Sequence, residues 1–199
     1  MTKIKINSLR TIVNFSLAIL LLSTSCKNST QNSEVTAANE VTSVSSAKVP
    51  DIDIQLAILS NNIEEVKQHI DAGTDLNKKD AMSGSTPLIT ASSFGKKEIT
   101  KLLVDAGADL SLKNNDGATA LHTAAFFCRV DILNTLLEAG ADKTLRNNFG
   151  ATPRETVMGP FEQIKPIYEM LQQQLQPMGM EFDLGHIQNT RPIIAEMLK

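Results

Sequence analysis

Tryptophan is missing from this 199-residue sequence, tyrosine occurs once and aromatic residues make up only 4% of it, so a core has to come from Leu, Ile, Val and Ala. That composition favours helices packed closely through small side chains. Cysteine occurs only at positions 26 and 128. At most one internal disulfide can form, and none if Cys26 is modified, which excludes a disulfide framework. Surplus positive charge is absent as well. The formal net charge is −3, and all three charged residues before Cys26 are basic (Lys3, Lys5, Arg10). Removing that segment leaves 16 basic against 22 acidic residues, a net charge of −6, which argues against nucleic acid as a partner.

Long hydrophobic runs are scarce too. The longest, Thr11 to Leu22, has twelve residues. As a helix it spans roughly 18 Å, short of a ~30 Å hydrocarbon core. Three basic residues, a short apolar run and then small polar residues form the layout of a secretory signal peptide. Ser23-Thr24-Ser25-Cys26, with small residues before a cysteine at the end of that run, resembles the lipobox of bacterial lipoproteins. Serine replaces the usual leucine three places before the cysteine, with Leu22 one place further back. The resemblance implies removal of residues 1–25 and acylation of Cys26 as the new first residue, a lipid anchor in a bacterial cell envelope. Lys27 after the cysteine points, by analogy within that family, to the outer membrane, where the side expected is the periplasmic one, with surface exposure the alternative. Residues 27–50 contain no Leu, Ile, Met or aromatic residue. Residues 26–50 are therefore expected to form a disordered tether, with an end-to-end distance of roughly 25–30 Å.

The remainder is periodic. Gly84-Ser-Thr-Pro-Leu-Ile-Thr-Ala91, Gly117-Ala-Thr-Ala-Leu-His-Thr-Ala124 and Gly150-Ala-Thr-Pro-Arg154 repeat at 33 residues, as do Ala106-Gly107-Ala108-Asp109 and Ala139-Gly140-Ala141-Asp142. An earlier copy, Asp71-Ala72-Gly73-Thr74-Asp75, lies one residue further off, the extra residue falling in the loop from Lys79 to Ser83. Thr119 is placed to cap a first helix, and Pro87 and Pro153 suit a first helical turn. Ile99, Leu102 and Leu103, then Ile132, Leu133, Leu136 and Leu137, mark the apolar stripe of a second helix, terminated by Gly107 and Gly140. The short turn between paired helices calls for a left-handed residue, supplied by Asn61 and Gly95 but met by Cys128 in the third unit.

The period and the Thr-Pro-Leu-His-like motif are similar to those of ankyrin-repeat proteins. The fold expected is all-α: a solenoid of helix-turn-helix units with β-hairpin loops over 51–158. Units 83–115 and 116–148 match strongly, and 51–82 and 149–158 onward match in part. Such units bury their faces only against one another, so the terminal ones must differ. Unit one lacks the Thr-Pro-Leu-His run, and Arg154 stands where an apolar residue belongs. From Gly159 the period ends, and residues 159–199 read as a C-terminal helical cap with helices over 161–175 and 187–198. Pro166 and Pro192 are expected near helix starts or kinks. Five of the seven methionines (158, 170, 178, 180 and 197) fall here or just before, and a Met-rich surface can repack around varied partners.

Catalytic signatures are also missing. HExxH, CxxC, GxSxG, GxGxxG and phosphate-loop patterns do not occur, so no enzyme activity, cofactor or metal is expected. The resemblance gives His122 the task of hydrogen-bonding the next repeat's loop. It also implies a concave protein-binding surface made of hairpin tips and first helices. On this sequence that surface maps to Lys79 and Met82, then Asn115 and Asp116, then Asn148 and Phe149 at the loops, with Phe94, Phe126 and Phe127 on the helices. Phe94 and Phe127 lie 33 apart and in register. The function expected is that of a noncatalytic, monomeric protein-binding module, the alternative being an accessory that protects, stabilises or inhibits one envelope enzyme. Cys128 and the methionines are candidate oxidant sensors in that alternative.

Overall fold

A computed structural model describes residues 50–199. The segment before Cys26, the acylation site itself and nearly all of the proposed tether lie outside the described residues.

Three helix pairs come first: α1 (Ile54–Leu59) with α2 (Ile63–Asp71), α3 (Pro87–Ser93) with α4 (Lys97–Asp105), and α5 (Ala120–Phe126) with α6 (Val130–Glu138). Each first helix starts where a side-chain oxygen accepts an otherwise unpaired amide. Thr86 accepts from Ile89 and Thr119 from His122. In the first unit, which lacks the motif, Asp53 takes over and accepts from Gln55 at 2.8 Å. The intra-pair turn requires positive φ in all three units: 56° at Asn61, 71° at Gly95 and 53° at Cys128. The second helices end on glycine in the left-handed region. Gly107 and Ala108 donate to the carbonyls of Val104 and Leu103, both at 3.0 Å, which satisfies the last turn.

Ala57, Ala91 and Ala124 recur at the same register and are fully buried, which lets the first helices approach closely. Behind them Val66, Ile99, Leu103, Ile132, Leu133 and Leu136 form a continuous apolar layer running from repeat to repeat. Burying each such large side chain contributes about 1.5–3 kcal/mol.

The loops between repeats depart from the β-hairpins expected. Each is closed by two backbone bonds at one residue: Asp80 donates to Ser85 (2.9 Å) and accepts from Gly84 (3.2 Å), Asn114 donates to Ala118 (3.0 Å) and accepts from Gly117 (2.9 Å), and Asn147 donates to Ala151 (3.0 Å) and accepts from Gly150 (3.0 Å). No strand is assigned among the described residues. Bonds gathered at a single residue of each loop do not extend into a ladder.

The fourth unit begins like the others and then stops. Thr152 and Glu155 cap one another, with the Thr152 amide 2.8 Å from Glu155 Oε2 and the Glu155 amide 3.3 Å from Thr152 Oγ1. In place of a full first helix the chain makes only a 3₁₀ turn, Glu155–Val157. Arg154, at the apolar position of the motif, instead donates to the Ala195 carbonyl at 2.9 Å. The chain then forms α7 (Phe161–Leu175), a second 3₁₀ turn (Gln176–Met178) and α8 (Leu184–Met197). α8 starts earlier than the apolar pattern predicts because Asp183 caps it, accepting from His186 at 2.9 Å. Pro166 and Pro192 lie inside their helices rather than near the starts. α8 packs on α5 and on the first 3₁₀ turn, burying Ile187, Thr190, Arg191 and Ile194. Among the described residues no helix is long and apolar enough to cross a membrane.

Candidate functional site

The loop tips are held in line by asparagine. Asn115 donates its backbone amide to Ser83 (2.9 Å) and its side-chain amide to Met82 (3.1 Å). One repeat later Asn148 does the same to Asp116 (2.9 Å) and Asn115 (2.9 Å). The glycine before the motif makes room for this. At Gly117, where φ is 71°, a Cβ would meet the Asn148 amide nitrogen at 2.7 Å. Asn115 and Asn148 are thus exposed residues whose polar groups are already committed to joining loops.

Around them lie Lys79, Met82 and Phe149, with Met82 79% and Phe149 60% exposed. Both side chains are large, apolar and uncovered, at tips fixed from behind. Asp116 sits half-buried between them in sequence, and that burial raises its carboxyl above the usual range. The first of these loops is drawn in by Asp80. Burial alone would raise its carboxyl, but hydrogen bonds from Ser83, Met82 and Ser85 outweigh that and hold it below the ordinary value.

The helix positions divide. Phe94 is half-buried and takes no part in the ring contacts of the third repeat. Phe126 stacks on Tyr168 of α7 with centroids 4.7 Å apart, and Phe127 meets Phe126 edge-on at 5.0 Å and Phe182 at 5.9 Å. Both are therefore engaged by the chain's own tail. Tyr168 is fully buried. Its hydroxyl donates to the Phe126 carbonyl at 2.6 Å and receives Arg191 Nη1 at 3.2 Å. The Phe126 carbonyl belongs to the last turn of α5, where no intrahelical partner exists. The sequence pattern alone does not single out Tyr168, Phe182 or Arg191. Its one signal is that Tyr168 is the chain's sole tyrosine, on a helix otherwise rich in Gln and Glu.

The groups with catalytic potential are structurally occupied. His122 Nδ1 accepts from the Thr119 amide at 3.3 Å and Nε2–H donates to the Ala151 carbonyl at 3.0 Å, which links one repeat to the next loop. Burial lowers its pKa, so the ring is held neutral. His69 donates from Nε2 to the Ile52 carbonyl at 2.7 Å, leaving Nδ1 to accept from Thr74 at 3.0 Å. Cys128 is buried with Sγ 3.7 Å from the Ile187 carbonyl, and burial pushes its thiol up to about 11. Among the described residues no cluster of three His, Cys, Asp or Glu side chains can hold a metal ion. Met180 is buried, while Met158 and Met178 are exposed.

Comparison with known proteins gives the arrangement a family. The family model for ankyrin repeats matches residues 54–147 in three copies. Over 61 residues, 31% of this chain and 39% of the other, the sequence is 41% identical to protein phosphatase 1 regulatory subunit 27 of Homo sapiens. Over 64 residues, 32% of this chain and 7% of the other, it is 36% identical to ankyrin repeat and SAM domain-containing protein 6 of Rattus norvegicus. The chain therefore spans less than half the length of these curated relatives. The crystal structure of the Bcl-3 ankyrin repeat domain superposes with a TM-score of 0.50 at 29% identity, over 52% of this chain and 45% of that one. Residues 54–147 are accordingly ankyrin repeats, and the fold they build is the ankyrin-repeat fold.

Proposed function

We propose that this chain is a noncatalytic, monomeric protein-binding module, tethered by a lipid on Cys26 to a bacterial cell envelope, on the periplasmic side of the outer membrane. The observation that carries the binding reading is the aligned loop row, which offers Met82 and Phe149 to solvent on tips that the asparagine ladder keeps rigid. Rigid, exposed apolar anchors bind with little ordering cost. The tethering part rests on the lipobox-like Ser23-Thr24-Ser25-Cys26 and the polar stretch after it.

The first test is capture of protein partners from envelope extracts by the full-length protein, compared with a Met82→Ser/Phe149→Ser variant. Loss of capture with unchanged thermal stability supports the surface, and equal capture rejects it. Metabolic labelling with palmitate tests the anchor: label is expected on the natural protein and absent from Cys26→Ser.

A second reading makes the partner an enzyme that this chain regulates, stabilises or inhibits. It draws on the likeness to a phosphatase regulatory subunit. An oxidant-sensing version needs a reactive Cys128, and the buried, protonated thiol weighs against it.

A further inference from the structure

The tail sets a short acidic and aromatic segment on the third unit, and the second unit carries the same seat one period earlier. In the third unit Phe182 meets the Phe127 ring edge-on with centroids 5.9 Å apart, and Arg129 Nη2 lies 3.5 Å from the carbonyl of Glu181. Burial lowers the Arg129 pKa, while the neighbouring Cys128 and Glu181 oppose the shift. Glu181-Phe182 is the only place in the sequence where an acidic residue immediately precedes an aromatic one. Thirty-three residues before Phe127 and Arg129 stand Phe94 and Lys96. Their backbone matches: φ and ψ are −82° and 4° at Phe94 against −85° and 8° at Phe127, and each is followed by a left-handed residue, Gly95 at 71° or Cys128 at 53°. The two phenylalanine side chains therefore leave their helix ends in the same direction. Among the described residues Phe94 enters no ring contact, and the Lys96 ammonium enters no ion pair. Beside Phe94, Ser93 replaces the Phe126 of the third unit, and its hydroxyl turns back to the Ile89 carbonyl at 2.8 Å. That small side chain leaves room where a ring stands one repeat later. The first unit has neither group, with Ser60 and Asn62 in those places. The seat thus occurs twice, and the tail takes the later one.

We propose that Phe94 and Lys96 form a docking site for a protein partner, taking a segment in which an acidic residue immediately precedes an aromatic one. This rests on the reading of the first-helix face as a protein-binding surface. The partner's ring packs on Phe94 as Phe182 packs on Phe127, and its carboxylate lies toward the Lys96 ammonium as Glu181 lies toward Arg129. The chain itself does not supply the occupant. Residues 26–50 hold no aromatic residue, and a second copy could offer only its own Glu181-Phe182, which its tail already uses. A seated aromatic side chain carries a large share of binding energy, and a facing charge pair adds specificity.

The probe is a labelled peptide with the sequence of residues 178–184, titrated into the full-length protein and followed by fluorescence anisotropy. Saturable binding is expected. Phe94→Ala in the protein, or Phe182→Ala in the peptide, should weaken it at least about tenfold. Lys96→Glu should weaken it by a similar factor and reverse its dependence on salt. Phe127→Ala should leave it unchanged. Absence of saturable binding overturns the proposal, and so does binding that survives Phe94→Ala. Binding lost with Phe127→Ala but not with Phe94→Ala places the peptide on the tail's own seat, which also overturns it. Sedimentation velocity at the same concentrations should show a monomer, whereas a dimer abolished by Phe94→Ala would make a second copy the occupant and overturn the partner. If Phe94→Ala does not fold, Lys96→Glu alone must still weaken the peptide. None of these readouts uses the natural partner. Peptide binding that survives failed envelope capture removes the loop-row reading and supports this site, whereas capture intact with no peptide binding removes only this site.

Discussion

Asn115 donates its side-chain amide to the carbonyl of Met82, 3.1 Å away and 33 residues earlier, and Asn148 repeats the bond to Asn115 at 2.9 Å across the same interval. These bonds join neighbouring loops rather than residues within one loop. Asn148→Ala should therefore loosen the last loop without touching the helices. The expected cost is about 0.5–1.5 kcal/mol, a fall of a few degrees in Tm by thermal denaturation. Faster hydrogen exchange should be confined to the loops around 115 and 148.

Glycine substitutions separate conformational strain from collision. Gly117 and Gly140 both have positive φ, 71° and 84°, but only the Cβ of Gly117→Ala meets a neighbour, the Asn148 amide nitrogen at 2.7 Å. Gly140→Ala should cost about 1 kcal/mol for the left-handed backbone alone. Gly117→Ala should cost clearly more and also uncouple the loops, as chemical denaturation of the two variants side by side will read.

His122 makes stability depend on pH with a definite sign. Its pKa in the folded protein is lowered by burial, below the 6.5 of an unfolded chain. The unfolded state therefore binds more protons in the window just below 6.5, and stability rises with pH there. The contribution is complete above 6.5 and is lost as pH falls toward the folded value. Denaturation curves at pH 7.5 and pH 5 should show a smaller difference for His122→Gln than for the natural protein, although the variant is less stable at both.

Cys128 combines a left-handed backbone with a buried thiol. With φ at 53° it adopts a conformation that costs a non-glycine residue about 1–2 kcal/mol. Cys128→Val, β-branched in the same place, should be strongly destabilising. The thiol, pushed up to about 11 by burial, should react with alkylating reagent at pH 7.5 far more slowly than the same chain in denaturant. Alkylation of the native protein at the denatured rate would contradict the buried placement.

Where the chain is periodic, its structure is legible in the sequence. The threonine caps, the buried alanines and the left-handed turn residues at 61, 95 and 128 all fall where the 33-residue period, lengthened by one residue between the first two units, places them, because each feature is decided within one unit or between adjacent ones. Even outside the repeats, local signals suffice for α7, whose apolar spacing predicts 161–175 and whose observed bounds are Phe161–Leu175. Docking is not legible. Register makes Phe94 and Phe127 equivalent, yet the tail reaches only the latter, through Phe182. The bond from Tyr168 to Phe126 spans 42 residues with no repeat to announce it. Asn115 and Asn148 are also ambiguous in sequence. Asparagine at a loop tip suits recognition, and only the geometry reveals that its amide is spent on the preceding loop.

The central claim is that the loop row and first-helix face bind protein while the second-helix side does not. Photo-crosslinking in living cells tests it most directly, with a crosslinking residue placed singly at Met82, at Phe149 and at the exposed Asn134 of α6. Discrete adducts of shared mass are predicted from positions 82 and 149 and none from 134. Adducts of equal yield from all three positions, or from 134 alone, would contradict the claim.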